Sequence, residues 1–445
     1  MSNRIVILGA GESGTGAAVL ALKKGFDVFV SDKGKIKQNY KDLLNQHGIK
    51  WEEEKHTEEL ILNASEVIKS PGIPEKTPVI KELRNRKIQV VSEIEFALRY
   101  TKAKIIGITG TNGKTTTTLL TYHILKQAGV DVCLAGNVGK SLALQLAERD
   151  FEYCVLELSS FQLDNMYDSR INIAVLLNIS EDHLDRYDYK MEKYIDSKFR
   201  IIQNQQPDDA FIYCYDDKLI AAEVAKKKLS AHLFSFSIKE KKEPGAYLEN
   251  EIINLTINNQ PFTMSIHELA LQGKHNIYNT MAAGIVGRLL ELRKESIRES
   301  LSDFQNVEHR LEKISKVHGI EFINDSKATN INSAWYALES INTPIIWIVG
   351  GVDKGNNYEM VMDLVRQKVK AIVCLGIDNK KIHDTFKNVV QTIVDTTSAS
   401  EAVKASYRLG KKGDTVLLAP ACASFDLFEN YEDRGRQFKK AVQQL

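Results

Sequence analysis

The stretch Gly107-Ile-Thr-Gly-Thr-Asn-Gly-Lys-Thr-Thr116 limits what this chain can fold into more than any other. It follows an apolar run, Lys104-Ile-Ile-Gly-Ile-Thr109. It opens onto Thr117-Thr-Leu-Leu-Thr-Tyr-His-Ile-Leu-Lys-Gln127, whose apolar residues keep helical spacing up to a stop at Gly129. The order is strand, glycine loop, helix. A helix N-terminus points unpaired backbone N–H groups and the positive end of its dipole at whatever lies in front of it, so this geometry suits a nucleotide triphosphate. Gly110 and Gly113 let the backbone wrap the phosphates, Lys114 reaches the β/γ oxygens, and the Thr115 hydroxyl can ligate Mg²⁺. Ile108 stands where the strict pattern has its first glycine, so the loop is a variant.

A chain of 445 residues is too long for one ordinary core and predicts several domains. Its 59 lysines and arginines nearly cancel 58 acidic residues, which argues against non-specific binding to nucleic acid or to an anionic membrane. Cysteines 133, 154, 214, 374 and 422 are scattered through apolar stretches without metal-ligand spacing, so buried reduced thiols are expected. No run approaches membrane length, and the first strand starts at Arg4, leaving no room for a signal peptide. A soluble, cytoplasmic protein is expected.

Before the phosphate loop, strand Arg4–Leu8 runs into Gly9-Ala-Gly-Glu-Ser-Gly14, a helix from Ala17 to Lys24, and a strand ending at Asp32. Alone, this G-x-G-x-x-G unit with a following acidic residue signals a dinucleotide. The next phosphate loop begins too soon for two mononucleotide halves, however, so a half-fold holding one nucleotide is expected. A second loop, Lys69-Ser-Pro-Gly-Ile-Pro74, reaches the same sheet edge or is simply a turn stiffened by prolines. After the phosphate loop, Tyr153–Ser160 carries Glu157 near its end, and Asn172–Asn178 leads to Ile-Ser-Glu-Asp-His183-Leu-Asp185. Near-continuous apolar runs are parallel strands buried on both faces, and parallel strands share one carboxyl edge. Glu157 and His183 therefore fall beside the phosphates, as ligands of Mg²⁺ or Mn²⁺ or as their supports. Short alternating stretches from His232 to His267 predict a small antiparallel add-on. The asparagines of Gly273-Lys-His-Asn-Ile-Tyr-Asn279 can cap the next helix or bind a base. A last α/β unit follows His309-Arg310, with Asp325, Lys327, Thr329, Lys354 and Ser424 at its strand ends. Polar edges on three units suggest a site assembled between domains.

With these residues in view, the whole chain resembles the Mur ligase family, the ATP-dependent amide-forming enzymes of peptidoglycan precursor synthesis. The resemblance rests on Gly110–Thr115, Glu157-Leu-Ser-Ser-Phe-Gln162, Glu181-Asp-His-Leu-Asp-Arg-Tyr187, His309-Arg310, Asn324-Asp-Ser-Lys-Ala-Thr-Asn330 and Pro420-Ala-Cys-Ala-Ser424. The last two point to the member that adds D-glutamate to UDP-N-acetylmuramoyl-L-alanine. The family implies an α/β protein of three domains: a Rossmann-like N-terminal half-fold (1–93) for the UDP-substrate, a central P-loop-like ATP-binding domain with the antiparallel add-on (94–305), and a Rossmann-like C-terminal domain (306–445) for the amino acid. It implies that Gly110, Thr111, Asn112, Gly113, Lys114, Thr115, Thr116, Asn276, Asn279, Arg310 and Asp325 serve ATP. Ser13, Asp32, Ser70, Gly72 and Asn137 would hold the UDP-substrate, and Lys327, Thr329, Lys354, Ser424 and Tyr431 D-glutamate. Tyr431 stands at a position that can carry phenylalanine.

Two magnesium sites are implied, on Thr115 and Glu157 and on His183 and an N-carboxylated Lys198, with Lys114, Glu157, His183 and Lys198 as the catalytic set. Chemistry alone gives Lys198 a different place, a surface helix with its ammonium in solvent. A monomer without nucleic-acid or membrane partners is expected. Rival classes are another amino-acid-adding member of the family, a folylpolyglutamate synthetase, which lacks the N-terminal half-domain, an NAD-dependent oxidoreductase resting on Gly9 to Asp32, and a non-catalytic nucleotide switch.

Overall fold

The structure is a computed structural model that describes residues 3–257, 260–271, 273–304 and 308–445. Within these residues the strands form three sheets, the first two in one compact unit and the third in another.

The first sheet contains β1 (Arg4–Leu8), β2 (Asp27–Ser31), β3 (Lys50–Glu52), β4 (Glu66–Lys69) and β5 (Gln89–Val91), all parallel in the order β3-β2-β1-β4-β5. The Rossmann-like character is as expected. The sheet is fuller than a half-fold, and it fits before the phosphate loop because β3 and β5 have only 3 residues each. The glycine loop, Asp32 and Ser70 leave the carboxyl ends of β1, β2 and β4. The first helix spans Glu12–Lys23, starting before the expected Ala17. Gly14 and Gly16 look like loop residues in the sequence but serve close packing inside the helix. A Cβ on Gly14 would lie 1.8 Å from the Gly9 carbonyl oxygen, and one on Gly16 2.0 Å from Ser141 Oγ.

The second sheet contains β6 (Lys104–Thr109), β7 (Val132–Gly136), β8 (Tyr153–Glu157), β9 (Ile173–Leu176), β10 (Ala210–Cys214), β11 (His232–Ser237), β12 (Gly245–Glu249), β13 (Ile252–Ile257) and β14 (Gln260–Ser265). Their order is β14-β13-β12-β11-β10-β9-β6-β8-β7. β6 lies between β8 and β9, so the phosphate loop has the Glu157 and His183 segments on either side. The expected antiparallel part is present from Gly245 onward, but as a continuation of this sheet, and β11 runs parallel to both its neighbours. Alternating hydrophobicity marks a strand with one buried face and says nothing of its direction.

An apolar core runs from the first sheet into the second, from Ile5 and Val30 to Leu142 and Leu156. The expected domain boundary between residues 93 and 94 falls inside the helix Glu93–Leu98, and that between 305 and 306 lies outside the described residues. Glu93 is fully buried at this junction, accepting from Ser141 Oγ at 2.8 Å and Ala143 N at 2.7 Å. Burial pushes its carboxyl up to about 7, against those two bonds and with help from Glu12. Because the folded value lies above the unfolded one, the protonated form is favoured in the fold. Its stabilisation is full below the ordinary carboxylate range and fades as pH rises through about 7. Glu93→Gln should therefore raise the melting temperature at pH 8 by a few degrees, on the order of 2 kcal/mol, with the gain vanishing near pH 4.5. Thermal melts at the two pH values test this, and an equal shift at both would refute it.

The third sheet contains β15 (Glu312–Val317), β16 (Ile320–Asn324), β17 (Ile345–Gly350), β18 (Val369–Leu375), β19 (Ile393–Thr396) and β20 (Thr415–Ala421), in the order β15-β16-β20-β17-β18-β19. All neighbours pair in parallel except β15, which runs antiparallel at the edge. β16, β20 and β17 are adjacent, so the segments after Asn324, Ala421 and Gly350 leave one edge side by side. All five cysteines are free and buried. No helix among the described residues is long and apolar enough to cross a membrane.

Candidate functional site

The phosphate loop is held in place by hydrogen bonds to its neighbours. Thr111 N donates to Asn178 O at 2.8 Å, and Asn112 N to Asn178 Oδ1 at 2.8 Å. Asn178 Nδ2 returns a bond to Asn112 O, and Thr111 Oγ1 meets both Ser180 and the Tyr194 hydroxyl. Gly113 takes the left-handed conformation (φ +84°) at the N-cap of helix Lys114–Gln127. A Cβ there would lie 2.5 Å from Asn279 Oδ1, so only glycine fits. Asn279 accepts from Thr117 Oγ1 at 3.1 Å and donates to Asn276 Oδ1 at 3.1 Å. Both asparagines are thus buried behind the loop, within helix Lys274–Leu289, and neither is its N-cap. Thr115 and Thr116 are buried in the first turn of the loop's own helix.

Two lysines converge on one carbonyl of this loop. Lys114 Nζ donates to Gly110 O at 2.9 Å and to Thr111 O at 2.8 Å, and Lys198 Nζ donates to Gly110 O at 2.8 Å. The expectation of a solvent-facing Lys198 is corrected: the side chain is 1% exposed, with Nζ 4.5 Å from the centre of the Tyr194 ring. Helix Met191–Phe199 turns Tyr194, Ile195, Lys198 and Phe199 inward, and this i, i+4 face carries the lysine down to the loop. Burial, and next the charge of Lys114, hold its ammonium well below the ordinary lysine value.

Glu157 ends β8 and is 1% exposed. Its Oε1 accepts from Asn137 Nδ2 at 2.8 Å, whereas Oε2 is buried with no hydrogen-bond partner. A buried carboxylate oxygen left unpaired is costly unless a cation faces it. This donor set, a hydroxyl, a carboxylate with an open oxygen and an imidazole beside a phosphate loop, fits Mg²⁺. His183 is in the left-handed region (φ 53°), about one third exposed, and its ring stacks edge-on against Phe161 at 5.1 Å.

In the first sheet, Asp32 accepts from Ala10 N at 2.6 Å and Gly34 N at 2.7 Å, so it orders the glycine loop. Ser70 packs under Gly9, where a Cβ would meet its Oγ at 2.4 Å. Ser13 lies partly exposed in the first turn of helix Glu12–Lys23. The Gly72 carbonyl accepts from Arg186 Nη2 at 2.9 Å, joining this loop to the segment that carries His183. A cavity of about 310 Å³ brings Gly72, Asn137, Lys114, His183 and Lys198 onto one wall system. The sequence reading missed Arg186 and Tyr194 as parts of this site, although Arg186 lies in the His183 motif and Tyr194 stands one helical turn before Lys198.

In the second unit, Asp325 is buried, accepts from Leu311 N at 3.3 Å, and has Arg310 Nη1 at 3.9 Å. Burial pushes its carboxyl up to about 6, against the pull of Arg310. The loops after β16 and β20 are tied by Ala421 N to Ala328 O at 2.8 Å. Arg434, also missed, is buried in a helix that reads as charged and solvated. Its guanidinium donates to Ser326 Oγ, Ser326 O and Cys422 O. It clamps the segments carrying Lys327 and Thr329 on one side and Ser424 on the other. Lys327 Nζ lies 5.4 Å from the Tyr431 ring centre. Ser424 is buried, and Lys354 is exposed on the neighbouring loop after β17.

The chain matches known proteins along its length. Residues 4–79 match the MurD N-terminal domain, 108–287 the Mur ligase middle domain, and 309–422 the Mur ligase glutamate ligase domain. The UDP-N-acetylmuramoylalanine–D-glutamate ligase of Christiangramia forsetii is 58% identical over 445 residues, covering 100% of both chains. That of Bacteroides thetaiotaomicron is 59% identical, covering 99% of this chain and 100% of its own. The solved UDP-N-acetylmuramate-alanine ligase of Thermotoga maritima shares the fold with a TM-score of 0.64 at 18% identity, covering 99% of each chain. Matches along the whole length, at this identity, leave one conclusion: the chain belongs to the Mur ligase family.

Proposed function

We propose that this chain is an ATP-dependent ligase that joins D-glutamate to the alanine carboxyl of UDP-N-acetylmuramoyl-L-alanine, with release of ADP and phosphate. The observation that carries it is the shared cavity of Gly72 and Asn137 with Lys114 and Lys198. It gives the end of a nucleotide-linked substrate a path to the phosphate loop. The full-length similarity to D-glutamate ligases supports the choice of amino acid.

A carboxylate is a poor electrophile. The alanine carboxylate first attacks the γ-phosphorus of ATP and ADP leaves, giving an acyl phosphate. The amine of D-glutamate then attacks that carbonyl, loses a proton and expels phosphate. Anionic reactants must approach one another, so charge stabilisation dominates the catalysis. In this assignment Lys114 and the N-terminus of its helix hold the phosphates, with Gly110, Thr111, Asn112, Gly113, Thr116, Asn276, Asn279, Arg310 and Asp325 as further ATP contacts. Thr115 and Glu157 would hold one Mg²⁺, and His183 with a carboxylated Lys198 the second. Magnesium, when bound, supplies neutralisation of the phosphate oxygens and a template for in-line attack. Ser13, Asp32, Ser70, Gly72 and Asn137 serve the UDP-substrate, and Lys327, Thr329, Lys354, Ser424 and Tyr431 the two carboxylates of D-glutamate and the pocket wall. Three domains, 1–93, 94–305 and 306–445, divide these tasks in a cytoplasmic monomer.

Phosphate release tests the assignment. Turnover of ATP should require UDP-N-acetylmuramoyl-L-alanine and become fast only when D-glutamate is added. Equal rates with L-glutamate, or with a folate as acceptor, would overturn it.

A further inference from the structure

The loops after β2 and β3 meet around a buried hydroxyl. Ser31 ends β2, and its Oγ lies 2.8 Å from Glu52 Oε1 and 2.7 Å from His56 Nδ1, with Lys55 O more distant at 3.4 Å. Glu52 also accepts from Thr57 N at 2.8 Å and Thr57 Oγ1 at 2.6 Å. Burial pushes the Glu52 carboxyl up, but these bonds outweigh it and leave the group below its ordinary value. An ionised carboxylate only accepts, so the single Ser31 proton goes to Glu52. Were that proton turned toward His56, an oxygen lone pair would face the carboxylate at 2.8 Å. Toward His56, then, the hydroxyl oxygen accepts, and the imidazole carries its hydrogen on Nδ1. Burial holds the His56 imidazole below its ordinary value, with Glu52 and Asp32 opposing and Lys33 assisting, so the neutral form prevails near pH 7 to 8. A neutral ring protonated on Nδ1 presents a lone pair at Nε2. Among the described residues no hydrogen bond ends on that atom.

The position of this lone pair suggests its use. In an open parallel sheet, nucleotides bind outside the carboxyl ends of the strands, with the diphosphate at the glycine loop after the first strand. The base then extends past the end of the second strand toward the third. Asp32 occupies the near part of that rim, one oxygen accepting from Ala10 N of the glycine loop and the other from Gly34 N of its own loop. His56 follows β3 on the far part. We propose that His56 reads the base of the nucleotide-linked substrate, its Nε2 accepting the N3–H of uracil, a role that rests on the assignment of uridine diphosphate to these loops. Uracil presents a donor at N3 and cytosine an acceptor, so a fixed lone pair attracts the first and repels the second. The Glu52–Ser31 relay is what fixes it, by setting the tautomer rather than by touching the substrate.

The test compares kcat/KM for UDP-N-acetylmuramoyl-L-alanine with that for its cytidine diphosphate counterpart, in the full-length enzyme and three variants. In His56→Ala and His56→Phe the preference for uridine should fall about ten-fold, through KM and with kcat little changed. His56→Gln, which offers an amide oxygen, should keep most of the preference. Phe preserves the ring's bulk, so if Ala disturbs folding the Phe variant still decides. An unchanged ratio of the two substrates in both Ala and Phe variants overturns the role of His56. Asp32→Ala separates this from the underlying assignment. It should raise the KM for the uridine substrate several-fold and leave the KM for ATP unchanged. If it does not, uridine diphosphate has been placed in the wrong loops, and the role of His56 falls with it.

Discussion

Lys198→Arg is expected to retain less than about a hundredth of the native kcat, and Lys198→Ala to fare no better. A buried ammonium is wrong beside magnesium, because it repels a dication at contact distance and offers no lone pair. What the fold provides is a lysine whose proton is easily lost. Burial and the neighbouring Lys114 both disfavour the charged form, and the two lysines crowd one carbonyl, Gly110 O. The free lone pair on Nζ can add to the carbon of CO₂ and release a proton, giving a carbamate. The charge at that point changes from positive to negative, with two oxygens suited to a hard cation. A guanidinium stays protonated and cannot follow, so arginine keeps the wrong sign. The sign of the pH effect follows. Protonation of Nζ competes with carboxylation, so the modification should be lost as pH falls and gained with added bicarbonate. A carbonyl resonance from ¹³C-labelled bicarbonate, present in the native enzyme and missing in Lys198→Arg, checks the modification apart from turnover. Near-native activity in the arginine variant would reduce Lys198 to a structural amine.

That residue also marks how far the sequence could be read. The phosphate loop was legible because strand, glycines and helix are all local, and each has a mechanical reason to be there. Glu157 and His183 were legible one step further out, since parallel strands must bring their carboxyl ends to one edge. Lys198 was not. Its helix is only partly apolar, and a lysine on such a helix is usually solvated. Only the packing of Tyr194 and Phe199 shows which face turns inward. Arg434 was hidden for the same reason, in a helix whose charged residues mask a buried face carrying Phe438 and Val442. The direction of β11 was hidden by a different limit: periodicity reports faces, and only the pairing partner decides orientation. His56 was invisible because its tautomer depends on one hydrogen bond with Ser31, 25 positions away, and on a second from Ser31 to Glu52. In each of these cases the missing information is tertiary.

Glu157→Gln should lower kcat by about a hundred-fold or more and raise the magnesium concentration needed for half-maximal rate. Glutamine keeps the volume and keeps an oxygen for the Asn137 amide, which donates to Oε1 at 2.8 Å. What changes is the other atom. Oε2 is buried without a partner, and in the variant an NH₂ group takes its place, presenting hydrogens where a cation would stand. Stability should move the opposite way. In the metal-free protein a buried anionic oxygen without a donor costs more than a buried amide, so removing the charge relieves a penalty of about 1–3 kcal/mol. The metal-free melting temperature should rise by a few degrees while activity collapses, and added magnesium should narrow the gap by stabilising only the native enzyme. A purely structural Glu157 predicts the reverse pair, a lower melting temperature with turnover largely kept. Measuring melts with and without magnesium beside steady-state rates therefore decides between a residue that holds the fold and one kept, at a cost to the fold, for a metal.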